Sequence, residues 1–375
     1  MNYTYDHYQT ALAFLHGVGP RRARALLAHL PSLELLFTAT PKELAAITEL
    51  SPGFFQKMRR SHALERADTV LAFHEKHRVS SLFYQDKSFP RRLNQCADAP
   101  TQLFLKGHVD LNQSRFVAIV GTRSATQYGQ QLCRELIASF QNRNIIVVSG
   151  LALGIDAYVH RYCLEYDVPT IGVLGHGLDR IYPAKHRSLA KEMVEKGALI
   201  TEFAPGVSPD RENFPKRNRI VAGMCDATIV VESKTSGGSL ITANIANGYN
   251  RDVFAFPGPV YQETSQGCNG LIANAKAHLL QTPSSFAEFM QWDEVQLSKK
   301  ESQFLCFPEI STLQQEIVGE IQAHPKIQLD VLAAQLALPI SSLQVELLQL
   351  RLAGIVEELP GKQLQLHQEA RFAAS

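Results

Sequence analysis

The chain has 375 residues, of which 45% are hydrophobic and 19% charged, and a formal net charge of +1. This composition suits a globular protein of two or three domains and excludes a disordered chain or a small disulfide scaffold. With so little net charge, any polyanion site has to arise from local clustering. The opening Met1-Asn-Tyr-Thr-Tyr-Asp-His7 lacks the basic and apolar blocks of a signal peptide, and no apolar run is long enough to span a membrane. Six scattered cysteines without a Cys-x-x-Cys pair read as reduced thiols, so a cytoplasmic protein without a disulfide framework or metal site is expected.

Residues 1–78 show helical spacing of apolar residues, punctuated by Pro20, Pro31, Pro41 and Pro52, and predict a bundle of short helices. Within it, Gly17-Val-Gly-Pro-Arg-Arg-Ala-Arg24 resembles a helix-hairpin-helix, whose second helix can meet a phosphate by its first amides. The alternative is a plain helical hairpin with a solvated basic face. Residues 81–84 and 103–105 are candidate strands. From 115 the chain alternates between Val/Ile-rich strands (116–120, 145–149, 170–174, 199–202, 228–232, 253–256) and helices (127–142, 155–166, 186–197, 214–224, 239–249). The strands are apolar on both faces, which predicts a doubly wound parallel sheet with its ligand at the carboxyl ends of the strands. Residues 79–292 are read as this one Rossmann-like domain, with 266–291 returning to helix around an apolar break at Leu279-Leu280. A polar linker is expected at 293–311. Three amphipathic segments and a hairpin around Pro360-Gly361 then predict a winged helix over 312–375.

The chemistry concentrates in turns after the strands. Arg211, Lys216, Arg217 and Arg219 place four cations within nine residues at a predicted helix start, where charge, free amides and the helix dipole all favour an anion. Val120-Gly-Thr-Arg-Ser124 offers close backbone approach at Gly121, hydroxyls, and Arg123 for a phosphate; it is neither a dinucleotide fingerprint nor a Walker loop. Ser149-Gly-Leu-Ala-Leu-Gly-Ile-Asp156 brackets a turn with Gly150 and Gly154. Asp156 and His160 are spaced to meet on one helix face. With no nucleophile near them, they read as a structural hydrogen-bonded pair before a catalytic one. Ser236-Gly-Gly-Ser239 is a further anion cradle, through Gly237 and Ser239. Lys185 and Arg187 add charge after the third of the Val/Ile-rich strands, and Phe214 is a candidate stacking platform with a core role as its alternative. Each turn alone is ordinary. Their shared position at the strand ends is the signal.

Taken in order, Val-Gly-Thr-Arg at 120–123, Ser-Gly-Leu-Ala-x-Gly-Ile-Asp at 149–156, Phe-Pro-x-Arg-Asn-Arg at 214–219, Ser-Gly-x-Ser-Leu-Ile-Thr-Ala at 236–243, Phe-Pro-Gly at 256–258 and Gly-Cys-Asn-Gly-Leu-Ile at 267–272 resemble the DNA-processing protein A (DprA, or Smf) family. The resemblance covers about residues 80–290. It implies a non-catalytic, cofactor-free homodimer that binds and protects incoming single-stranded DNA in natural transformation and helps load the RecA recombinase. It places the DNA pocket at Arg123, Ser124, the Gly150 loop, Lys216, Arg217, Arg219 and the turn at 237–239. Where the family has Gly-Ala after Leu-Ile, this chain reads Ala273-Asn-Ala-Lys276, beside the expected dimer contact.

Two other functions fit parts of the pattern. A nucleotide-cleaving phosphoribohydrolase would need the proline and terminal glutamate that Thr235-Ser-Gly-Gly-Ser-Leu-Ile-Thr-Ala243 lacks. A winged-helix duplex reader would have to rely mainly on Lys326, Arg351 and Lys362.

Overall fold

A computed structural model describes residues 3–113, 115–292 and 310–367. Most of the expected linker, and residues 368–375, therefore lie outside the described residues. The backbone of the fold is a nine-stranded sheet built from β1 (Ser80–Phe83), β2 (Gln102–Gly107), β3 (Arg115–Val120), β4 (Ile145–Ser149), β5 (Thr170–Val173), β6 (Ala198–Thr201), β7 (Ala227–Val230), β8 (Asp252–Ala255) and β9 (His278–Leu279). Their order is β1-β2-β6-β5-β4-β3-β7-β8-β9. The seven strands from β6 to β9 run parallel, and β2 and β1 add an antiparallel edge. Buried side chains line both faces, with Phe116, Ala118 and Val120 on one and Val117 and Ile119 on the other. This two-sided burial is why these strands read as continuous apolar runs. The order reverses between β3 and β7, so the loops after these strands diverge and leave a crevice at the carboxyl edge.

The N-terminal helices pack around their own core of Leu12, Leu26, Leu36, Leu44, Phe55 and neighbours. Pro20, Pro41 and Pro52 each open a helix, where the missing amide costs nothing. The Gly17 turn has φ +74, and Gly19 caps the helix Pro20–His29. Arg24 fastens this helix to the sheet domain through the Asn94 carbonyl, the Asn94 Oδ1 and the Pro100 carbonyl.

One expectation needs correction. Residues 266–291 are not simply helical: the helix Glu263–Ala273 ends, His278–Leu279 joins the sheet edge as β9, and the short helix Ser285–Phe289 follows. The apolar break marks that edge strand.

The C-terminal unit has helices Thr312–Ala323, Leu329–Gln335 and Ile340–Leu352 and a three-stranded sheet of β10 (Ile327–Gln328), β11 (Val356–Leu359) and β12 (Gln363–Leu366), with the hairpin closing at the Pro360-Gly361 turn. It docks at the amino ends of the parallel strands. Asp226, just before β7, accepts from Arg92 Nε at 2.6 Å, Phe116 N at 2.9 Å and Gln328 Nε2 at 3.0 Å, and Arg92 Nη2 donates to Gln328 Oε1 at 2.6 Å. Gly361 N donates to Asp252 at the start of β8, at 2.8 Å. Arg92, Asp226 and Gln328 are all buried. Removing one member of a buried charge pair strands the other. Asp226→Ala is therefore expected to cost about 3–5 kcal/mol in denaturant unfolding, and to make the winged helix the first segment released in limited proteolysis.

Candidate nucleic-acid interface

The crevice at the switch point is a cleft of about 600 Å³ lined chiefly from four regions, with Tyr182 reaching it from the loop after β5. After β3 come Gly121, Thr122 and Arg123; after β4, Gly150, Ala152 and Asp156; before and within the helix Asn213–Gly223, Arg211, Phe214, Arg217 and Asn218; after β7, the run from Ser236 to Ser239.

Arg217 forms the floor. It is only 5% exposed, donates Nη1 to the Val173 carbonyl at 2.7 Å and Nε to Asn218 Oδ1 at 3.1 Å, and lies against the Gly150 backbone. A Cβ on residue 150 would sit 2.0 Å from Nη1, so any larger residue there would have to displace the buried, hydrogen-bonded guanidinium. Asp156 is the one carboxylate among the described lining residues, and it accepts from Gly150 N at 3.1 Å and Ala152 N at 3.3 Å. Burial raises its pKa, opposed by the positive charge of Arg217 and by these amides.

Arg123 is exposed at the mouth, with its guanidinium carbon 5.6 Å from the Phe214 ring centroid. Phe214 also meets Tyr182, centroid to centroid at 6.1 Å, and lies against the Gly175 backbone. A cation and two aromatic rings thus share one wall. Opposite, the helix Gly238–Gly248 starts at the cleft; Leu240 N donates to the Gly237 carbonyl, and the amides of Gly238 and Ser239 have no partner within the helix. Ser239 Oγ donates to Ser233 Oγ at 2.9 Å, and the Gly237 turn packs on that hydroxyl. Buried Glu232 accepts from Thr126 N at 2.9 Å, Thr126 Oγ1 at 2.7 Å and Thr264 Oγ1 at 3.2 Å, which holds the loops after β3 and β7 together.

Of the residues singled out from the sequence, Gly121, Arg123, Gly150, Arg217, Gly237 and Ser239 meet at this cleft. The others do not. Ser124 is exposed outside its lining, and its amide donates to Thr122 Oγ1. Gly154, at φ +75, passes beneath the Thr122-Arg123 backbone, where any Cβ would strike the Thr122 carbonyl oxygen. Lys216 and Arg219 point from the other side of their helix into a second groove, where Arg219 pairs with Glu202 and the Asp98 carbonyl. The supposed four-cation patch is thus split by the helix itself. Tyr182, Asn218, Lys234 and Ile241 also line the cleft, although sequence reasoning gave them no site role. Each nonetheless lay in a stretch that carried a signal: Tyr182 beside a cation-rich turn, Asn218 in the motif at 214–219, and Lys234 and Ile241 in the glycine-rich turn region at 233–243. Lys185 and Arg187 lie outside the lining.

The Asp156–His160 pair does not form. His160 is fully buried and shares a 2.8 Å hydrogen bond with Thr170 Oγ1. That hydroxyl donates its own proton to the Val147 carbonyl, which leaves His160 Nδ1 as the donor, and burial with Nε2 unpartnered among the described residues favours the neutral ring. Burial pulls its pKa down to about 3.

In the winged helix, the three candidate duplex-reading cations are engaged. Lys326 donates to the Gln291 carbonyl, and Arg351 and Lys362 both bind Glu358. The outward face of the helix Ile340–Leu352 instead exposes Val345, Leu348 and Leu352.

Comparisons place these features among known proteins. The family model described as DNA recombination-mediator protein A matches residues 80–291, and that of the DprA winged helix domain matches 308–362. The protein Smf of Synechocystis sp. is 31% identical across 96% of this chain and 98% of its own length. The DNA processing protein DprA of Streptococcus pneumoniae is 38% identical across 54% of this chain and 72% of its own length. Its X-ray structure superposes with a TM-score of 0.63 at 31% identity, over 77% of this chain and 98% of that one. The Helicobacter pylori DNA processing protein A, whose structure concerns its single-stranded DNA binding mode, gives a TM-score of 0.53 at 26% identity, over 57% of this chain and 96% of that one.

Two outcomes test this geometry. Gly150→Ala should destabilise the fold by about 1–3 kcal/mol through overpacking against Arg217. Chemical denaturation should show a smaller penalty for the same change made in an Arg217→Ala background. A histidine whose folded pKa is depressed contributes stability above its unfolded pKa of 6.5, lost as pH falls from there toward about 3. Between about pH 6 and pH 5, unfolding free energy should therefore fall less steeply in His160→Gln than in the wild type, by up to about 1.4 kcal/mol per pH unit.

Proposed function

The chain belongs to the DNA recombination-mediator protein A family, and from that membership and the cleft we propose that it binds single-stranded DNA without chemistry. The observation that carries the reading is the shared wall of Arg123, Phe214 and Tyr182, facing the amides and hydroxyls of the Gly237–Ser239 side. A flexible strand needs this combination. Its phosphates take a cation and amide donors, and its bases take exposed aromatic faces, with little regard to sequence. The H. pylori relative's single-stranded DNA binding mode supports the same ligand class.

A cleaving enzyme is the poorer fit. Asp156 is committed to two loop amides and faces a fixed guanidinium, so no second carboxylate is at hand to share acid and base roles among the described lining residues. We extend the assignment, on the strength of family membership, to a homodimer that shelters incoming single strands during natural transformation and helps load RecA onto them. Two clefts on one particle would raise the effective concentration of each for a shared strand.

Fluorescence anisotropy with a labelled oligothymidylate tests the binding role. Arg123→Ala should weaken affinity roughly threefold to tenfold and reduce the slope of log K against log salt by about 0.7, the loss of one single-strand phosphate contact. Phe214→Ala should cost about 1–3 kcal/mol of stacking. Affinities unchanged in both variants, or free base released from nucleoside monophosphates, would remove the cleft from the proposed role.

A further inference from the structure

The second groove, between the N-terminal helices and the sheet, is not used by the cleft. It is about 750 Å³ in volume and is lined by Gly19, Pro20, Arg21 and Arg22 on one side and by Glu202, Lys216 and Arg219 on the other. We propose that this groove is a second single-stranded DNA subsite, taking the phosphates of the strand after it leaves the cleft and crosses the helix Asn213–Gly223. This inference rests on the binding role assigned above.

Four observations support it. First, the helix separates the two sites by its own width. Phe214, Arg217 and Asn218 face the cleft while Lys216 and Arg219 face the groove. A helix with its side chains is about 10–12 Å across, a step within reach of a strand occupying about 4–16 nucleotides.

Second, the groove's far wall is the start of the ten-residue helix Pro20–His29, with the glycine turn leading into it. Pro20 has no N–H and Ala23 N donates to the Gly19 carbonyl, so the open first-turn amides are those of Arg21 and Arg22, and the dipole favours an anion there. Arg24 pins that helix to Asn94 and Pro100, so its amino end is held in place over the sheet domain.

Third, the charges differ in availability. Arg219 is paired with Glu202, and Arg22 donates to the Gly17 carbonyl at 2.6 Å. Arg21 and Lys216 are exposed and have no hydrogen bond or ion pair among the described residues, so they are the two cations left for a ligand. Asp98, also in the lining, is occupied by the Tyr249 hydroxyl at 2.5 Å.

Fourth, Gln102 lines the groove at 3% exposure. Its Nε2 donates to Thr10 Oγ1 at 3.3 Å, but its Oε1 has no partner among the described residues. A buried acceptor left open costs free energy unless a donor arrives, and exocyclic amino groups of bases are such donors. Cations at the mouth with an unmet acceptor inside suit a nucleotide better than a bare inorganic anion.

The test compares a short oligothymidylate, long enough for the cleft alone, with one about three times longer, by anisotropy across a salt series. In the full-length protein, Arg21→Ala with Lys216→Ala should leave affinity for the short oligonucleotide within about twofold. It should lower affinity for the long one about tenfold and reduce its salt slope by about 1.4, two single-strand contacts. Gln102→Leu should weaken the longer oligothymidylate or oligocytidylate further, since thymine N3–H and the cytosine amino group are both donors, and should leave a base-free abasic oligomer of the same length unchanged. A long-oligonucleotide affinity and slope unchanged in the double variant would overturn the subsite. If Arg123→Ala still weakens the short oligonucleotide in that case, the cleft reading survives and only the groove fails. If no single-stranded oligonucleotide binds the wild type, both fall together.

Discussion

A desolvated guanidinium sets the shape of the strand-end cleft. Burying a charge costs several kcal/mol unless polar partners compensate. Arg217 has them in the Val173 carbonyl, Asn218 Oδ1 and the nearby Asp156 carboxylate. Asp156 is in turn committed to the amides of Gly150 and Ala152. The loop after β4, the end of β5 and the helix Asn213–Gly223 are thereby tied to one point. The positive charge beneath the cleft is consequently fixed and partly neutralised. It acts as a positioning element, and the exposed Arg123 and Arg211 are left to face a ligand at the mouth.

That same clamp orients the helix, and the rotation of about 100° per residue does the rest. Once residue 217 points inward beneath the cleft, residues 214, 218 and 221 share its side, while 216 and 219 must turn away. Arg219 then finds Glu202, whose pKa is raised by burial and held back by the arginine. One short cationic segment therefore serves two concave surfaces. A strand bound in one is brought close to the other without any movement of the scaffold.

The sheet was legible because burial on both faces leaves β3, β4, β5, β7 and β8 mostly apolar, with single polar residues such as Ser149, Thr170 and Thr228 too few to break the pattern, and each strand-end glycine turn followed from them. β9 was not legible. Two residues cannot show a period, and His278 and Leu279 become a strand only because β8 offers a free edge. Whether Lys216 and Arg217 shared a surface depended on the helix phase, which is set by where the loop at 208–212 delivers Asn213. Charge spacing in the sequence is blind to that. Likewise, the spacing of four between Asp156 and His160 was correct for a helix face, but both found closer tertiary partners: loop amides for the carboxylate and Thr170 of β5 for the imidazole. Local spacing lists the contacts a chain can make, and the partners brought by other elements decide among them.

The position of the winged helix completes the division of surfaces. The Arg92–Asp226–Gln328 cluster joins it to the amino ends of the strands, opposite the cleft. Buried polar contacts of this kind are directional, so they fix one docking geometry even where an apolar contact of equal area would be as stable. The unit thus leaves the carboxyl edge and the N-terminal helices uncovered, and its lysines and arginine among the described residues are spent on Glu358 and the Gln291 carbonyl. A groove-reading helix needs basic side chains facing outward, whereas this one presents Val345, Leu348 and Leu352. Charge and aromatic faces for nucleic acid are gathered at one end of the sheet. The other end carries a module whose outward helix face is apolar at Val345, Leu348 and Leu352, which sets the winged helix apart from the proposed strand path.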